Sequence, residues 1–230
     1  MTEENPAPKN IAILGCVNHR EQAPFDDPNW EIWFQHDFNL QRWDRCFEVH
    51  DLNMIRHGAT KPIWDWMVQQ DGTRPIYVWP KVCSEIKGSV VYPRDEMVRE
   101  FGAHCFDSTV AWMMALAILM KPKIIGLYGI DFASDAEYRE QKHGVRALMF
   151  EARKRGIDVV GPAESEMMVP PYLYAIDDNA WIKAKIERLK LEQETKLAEI
   201  RDKQKALDFQ ALMINGTINT LNHQKGNWFR

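Results

Sequence analysis

Four short stretches hold residue types suited to binding a phosphorylated ligand or moving a proton. The first, GCVNHREQAPFDDP, follows a short apolar run and offers Gly15, Asn18, His19, Arg20 and the paired acids Asp26 and Asp27. The second is Ser108-Thr109, at the head of an apolar helical run. A helix N-terminus presents free N–H groups and partial positive charge, which suit a phosphate, and the two hydroxyls add donors. Ser108 equally suits simple helix capping. The third is Gly129-Ile130-Asp131, with Tyr138 and His143 downstream. Gly129 permits close backbone approach. Asp131 either accepts from a sugar hydroxyl or a base amine, or serves as a turn residue. The fourth is His50-Asp51, at the end of the run RCFEVH. His50 or His143 has the chemistry of a general base.

Several common chemistries lack their motifs. Neither G-x-G-x-x-G nor G-x-x-x-x-G-K-[ST] occurs, so there is no standard dinucleotide fingerprint or P-loop. No G-x-S-x-G elbow occurs either. The seven histidines, His19, His36, His50, His57, His104, His143 and His223, are dispersed without metal-ligand spacing, and no metal site is expected. The four cysteines form no C-x-x-C pair, which fits free thiols in a reducing cytoplasm. A net charge of −4 does not indicate a nucleic-acid partner. Arg42, Arg45, Arg56 and Lys61 are the nearest basic cluster should the partner be DNA. Some of the nine tryptophans could stack on a planar ligand, although most are expected in the core or against loops.

The organising stretch runs from Asp107 to Asp131, DSTVAWMMALAILMKPKIIGLYGID. It reads as a cap, a helix apolar all round, a stop at Pro122, a strand apolar on both faces (KIIGLY) and an acid at the strand's end. Its helical apolar run is about a dozen residues, too short to span a bilayer. Further strands are expected at NIAILG (10–15), WEIWF (30–34), RCFEVH (45–50), PIYVW (75–79) and IDVV (157–160). Helices are expected over 62–69, 93–101 and 135–155. This alternation argues for an α/β, Rossmann-like domain: a mostly parallel sheet with helices on both faces. Loops leaving parallel strands gather at the carboxyl edge, so Gly15–Arg20, Ser108 and Gly129–Asp131 are expected around one cleft.

Residues 1–9 read as a loose polar tail without a signal peptide. The α/β domain spans 10–171, and a helical arm follows over 172–230. In the arm Ile186, Leu189, Gln193, Leu197, Ile200, Gln204, Leu207, Ala211, Ile214, Ile218 and Leu221 step by three and four. That is a coiled-coil seam with a stutter near Gln193. It predicts one long helix over about 177–212, ended or turned back at Asn215-Gly216, and a homo-oligomer through residues 177–221. A soluble cytoplasmic protein without membrane segments is the expected setting.

The run D-S-T-V-A-W-M-M-A-L-A-I, followed by I-I-G-L-Y-G-I-D-F and Tyr138, resembles the nucleotide-binding core of bacterial lipooligosaccharide sialyltransferases. It is also similar to motility-accessory glycosyltransferase-like domains. In that family T-S-G opens a buried helix and a strand ends S-G-I-D-x-Y. The resemblance implies a Rossmann-like fold and a nucleotide-sugar donor such as CMP-sialic acid, with no separate cofactor. By position it assigns Ser108 and Thr109 to the T-S pair, Gly129 to the strand-end glycine and Asp131 to the acid. Ala133 stands where the family has its first tyrosine, Tyr138 matches a second, and His143 is nearest to the family's histidine. The family's G-N-G-P-S opening is Gly15-Cys16-Val17-Asn18-His19 here. The stretches APFDDPNWEIW and RWDRCFEVHD also look like proteins encoded by tailed phages. Three functions follow as expectations. One is a nucleotide-sugar-dependent transferase with His50, His143 and Tyr138 as its reactive residues. The second is a non-catalytic nucleotide-binding or sequestering protein. The third is a structural protein acting through its coiled coil.

Overall fold

The structure is a computed structural model that describes residues 9–17, 19–35, 40, 42–58, 61–132, 136–168 and 180–228. The chain divides into two compact units, residues 1–170 and 171–230.

The first unit is built on seven strands: β1 (Asn10–Leu14), β2 (Trp30–Phe34), β3 (Arg45–Glu48), β4 (Ile76–Val78), β5 (Ser89–Val91), β6 (Ile124–Tyr128) and β7 (Asp158–Val160). They form one sheet in the order β5-β4-β3-β2-β1-β6-β7, and each neighbouring pair is parallel. The expected α/β, Rossmann-like architecture is therefore present. Strands β1 to β5 march to one side of β1, and β6 and β7 then add on its other side. The order reverses between β1 and β6, which makes the space beyond their carboxyl ends the topological switch point.

Among the described residues this unit has five α-helices: α1 (Leu52–His57), α2 (Lys61–Met67), α3 (Arg94–Phe101), α4 (Thr109–Leu119) and α5 (Ala136–Lys154). The period-two alternation of the strands sorts them into two layers. Ile11, Ile13, Trp33 and Phe47 face a core completed by α3, α4 and α5. Ala12, Leu14, Ile32, Phe34 and Cys46 face a second core completed by α1 and α2. Eight of the eleven residues of α4 are buried, as a helix apolar all round requires.

Three expectations are corrected. β3 ends at Glu48, so His50 lies in the turn after the strand. α1 is an additional helix of six residues, too short to show periodicity; the Asp51 carboxylate caps it by accepting from Asn53 N–H at 2.9 Å. β5 is an additional strand of three residues against the edge of β4.

Helix α5 carries a glycine in its interior, normally an unfavourable choice. A Cβ at Gly144 would lie 2.2 Å from the Cys105 carbonyl oxygen and 2.5 Å from Asp107 Oδ1. The segment before α4 thus lies directly on α5, and Asp107 Oδ2 accepts from Gly144 N–H at 2.9 Å.

The second unit contains α6 (Ala180–Trp228), a single helix of 49 residues. The expected stop at Asn215-Gly216 does not occur. Thr217 and Thr220 hydroxyls donate to the Met213 and Gly216 carbonyls at 3.1 and 3.0 Å, and the helix continues through that dipeptide. No described helix is long and apolar enough to cross a membrane.

In an exposed helix interior alanine is preferred to glycine by about 1 kcal/mol. Gly144→Ala is nevertheless expected to destabilise the protein, by about 1–3 kcal/mol, because the added methyl overpacks a backbone contact. Urea unfolding checks this: an unchanged or raised midpoint would contradict the Asp107–Gly144 packing.

Candidate functional site

At the switch point the two backbones touch. Gly15 N–H donates to the Tyr128 carbonyl at 2.8 Å and Val17 N–H to the Gly129 carbonyl at 3.1 Å. A Cβ at Gly15 would lie 2.2 Å from Gly129 O, and Gly129 itself has φ +65° and packs on Arg20 Cβ and the Val17 carbonyl. Gly15 and Gly129 are thus brought together as expected from the topology, with Arg20 beside them. Asn18 lies outside the described residues.

Just past β6, the chain is tied down by residues that drew no attention in the sequence. Ser165 Oγ donates to the Ile130 carbonyl at 2.8 Å and accepts from Met167 N–H at 3.2 Å. Asp131 Oδ1 accepts from Glu166 N–H at 2.7 Å. The Glu166 carboxylate forms a 2.8 Å ion pair with Lys142 of α5, and both side chains are largely buried. Asp131 therefore has a structural partner through one oxygen. Phe132 follows with φ +48°, a strained conformation for an aromatic residue, and is buried.

The start of α4 also reaches the carboxyl edge. Trp112, in its first turns, packs edge-on against Trp79 and Tyr92, which follow β4 and β5, at centroid distances of 5.5 and 5.4 Å. Tyr92 Oη donates to the Trp112 carbonyl at 2.6 Å, and burial holds that phenol far above its ordinary pKa. Ser108 is the N-cap, its hydroxyl accepting from Ala111 N–H at 3.2 Å, and Thr109 is buried. Beside the cap, partial burial raises the pKa of the Asp107 carboxyl, against the opposing pull of Gly144 N–H and of nearby His143. His143 is exposed on α5. Tyr138 belongs to the same helix, and its side chain lies outside the described residues.

His50 opens a different part of the edge. A cleft of about 740 Å³ lies beyond the ends of β3, β4 and β5, lined by His50, Asp51, Trp79, Lys81, Tyr92 and Arg94 among others. Of the described residues proposed from sequence as reactive or nucleotide-binding, only His50 lines it. His50 Nδ1 lies 2.6 Å from Oε1 of Glu48, the same oxygen that accepts His50 N–H at 3.0 Å. Glu48 is fully buried and the His50 side chain is 28% exposed. A carboxylate on Nδ1 fixes the orientation of the ring. The hydrogen bond to Glu48 raises the pKa of His50, and partial burial only offsets this. An acid closing an otherwise buried apolar strand, RCFE, was the available sequence signal for Glu48.

The four basic residues singled out from sequence are engaged within the chain. Arg42 donates to the Phe25 and Asp27 carbonyls, Arg45 to Glu31 and Tyr77, Arg56 to Glu85 and Lys61 to Asp65. Among the described residues no group of three or more His, Cys, Asp or Glu is placed to hold a metal ion.

Sheet order, switch point and edge cleft define a Rossmann-like α/β domain. No family model matches the chain. No curated protein matches it in sequence. Solved structures similar to it include three sialyltransferases from Campylobacter jejuni. One is an alpha-2,3-sialyltransferase in apo form, with 13% identity, 80% of this chain and 95% of that chain covered, and a TM-score of 0.46. Another is CstII in complex with a substrate analogue, cytidine-5'-monophosphate, with 14% identity, 69% and 82% covered, and a TM-score of 0.44. The third is the monofunctional alpha-2,3-sialyltransferase Cst-I, with 12% identity, 81% and 95% covered, and a TM-score of 0.43.

The Glu48–His50 pair makes a direct prediction. Imidazole signals followed by NMR should show His50 titrating above the ordinary value of about 6.5. Glu48→Gln should bring that midpoint down. The raised pKa means that protonated His50 adds stability below about pH 6.5, and that this contribution fades as pH rises through the folded-state pKa. The stability gap between wild type and Glu48→Gln should therefore narrow towards alkaline pH. An unshifted His50, or a gap that widens with pH, would contradict the pairing.

Proposed function

We propose that the protein binds a nucleotide sugar at the carboxyl edge of the sheet and transfers its sugar to an acceptor hydroxyl, with His50 as general base. The observation that carries this reading is the His50 ring held by fully buried Glu48 at the mouth of the cleft. A histidine held in place by a carboxylate has the chemistry of a general base.

In the reaction the acceptor O–H proton passes to the His50 imidazole while the acceptor oxygen bonds to the anomeric carbon. The bond from that carbon to the phosphate oxygen breaks, and the nucleotide leaves with the electron pair. Its charge would meet the first-turn amides of α4 and the hydroxyls of Ser108 and Thr109. Gly15, Asn18 and Gly129 would let the ligand approach the backbone, and the second oxygen of Asp131 would accept from a ribose hydroxyl. His143 and Tyr138 are the alternative reactive residues in this scheme. The setting is the cytoplasm, in keeping with cysteines that are all free.

A second reading is binding or sequestration without catalysis. It is favoured by one observation: Ser108 and Asp131 each already accept from a backbone N–H of their own chain.

A thermal-shift panel of nucleotides and nucleotide sugars tests binding, with cytidine-5'-monophosphate and CMP-sialic acid as its first members. At least one should raise the melting temperature. Donor consumption then separates the readings: wild type should release nucleotide, and His50→Asn should slow release by about 10²–10⁴-fold. Binding without release would favour sequestration. Release unaffected by His50→Asn would remove His50 as the base.

A further inference from the structure

Helix α6 is about 74 Å long at 1.5 Å per residue, and from Leu191 onward its described large apolar residues are exposed. Leu207, Ile214 and Leu221 are 64%, 61% and 57% exposed. From Leu197 to Leu221 many of the apolar residues fall on one heptad repeat, with Phe209, Leu212 and Met213 outside it. Leu197, Gln204, Ala211 and Ile218 take the a positions, followed by Lys225 at the last a, and Ile200, Leu207, Ile214, Leu221 and Trp228 take d. The repeat carries on through Asn215-Gly216, where Gly216 takes the outward f position. Between Ala206 and Gln224 the only Asp, Glu, Lys or Arg is Asp208. Isolated helices draw little stability from propensity alone, so an apolar stripe of this length needs a partner surface.

We propose that residues 197–228 associate with the same segment of a second copy of this chain, in parallel and in register. Three observations select that occupant. A strict seven-residue repeat fits a partner of equal length and the same repeat, and the longest other described helix, α5, has only 19 residues. Parallel pairing sets each g residue beside the e residue five positions on in the partner, which places Lys203 next to Asp208 of the other copy with opposite charges. Parallel register also places Gln204 opposite Gln204, where the two amides can satisfy each other; an antiparallel arrangement would face each with an apolar d residue. Lys196 and Arg201, the preceding g and e residues, are alike in charge, so the contact is tightest beyond residue 203. Additional copies in the same parallel bundle keep every one of these pairings.

Sedimentation of the full-length protein tests the association. Wild type should have a mass at least twice that of one chain, and Leu207→Lys or Ile214→Lys should reduce it to one. Phe209→Lys, at an f position, should leave the mass unchanged. Register is read separately: Gln204→Cys, with Cys16→Ser, should form a 204–204 disulfide on mild oxidation. A monomeric wild type overturns the proposal. So do assembly that survives both seam substitutions, loss of assembly with Phe209→Lys, and failure of the 204–204 disulfide to form.

Discussion

The first unit depends on the backbone contact between the ends of β1 and β6. Gly15 N–H and Val17 N–H reach the carbonyls of Tyr128 and Gly129, and no side chain fits between Gly15 and the Gly129 carbonyl. This contact continues the ladder past the last strand residues and fixes where the sheet order reverses. It directs the loop after β1 over the end of β6 and sets Arg20 against Gly129. The buried clamp of Ser165, Glu166 and Lys142 then fastens Ile130 and Asp131 to the segment leaving β7.

Three buried or half-buried polar groups along the rest of the edge are bonded within the chain. Asp107 binds Gly144 N–H, Tyr92 binds the Trp112 carbonyl, and Glu48 binds the backbone N–H and the ring Nδ1 of His50. Of these, His50 and Tyr92 line the cleft. The Asp107 and Tyr92 bonds hold α4 and α5 against the sheet. The edge thus divides into a switch-point half that is tightly knitted by backbone contacts and a β3–β5 half that leaves room for a ligand.

The buried α4–β6 stretch was legible because every residue type in it agrees: cap, apolar helix, proline stop and apolar strand. The approach of Gly15 to Gly129 followed from parallel topology alone. The short elements α1 and β5 were not legible, because three to six residues carry too little periodicity. Nor was the partner of Asp131, since Glu166 is 35 residues away in sequence. Glu48 was missed although a charged residue at the end of a buried strand is unusual in composition. At Asn215-Gly216 local propensity pointed to a helix end, yet the helix continues, with the Thr217 and Thr220 hydroxyls bonded back to carbonyls one turn earlier.

Amide hydrogen exchange of the full-length protein, with and without each of the four ribonucleoside monophosphates, is the most direct test of a nucleotide site at this edge. At least one nucleotide should slow exchange at the cleft, in residues 48–51, 79–82 and 91–96, and in residues 15–20, 108–112 and 129–132, while leaving β2 and α2 unchanged. Exchange that is the same with all four nucleotides in all of these segments, or protection confined to other elements, would contradict the account.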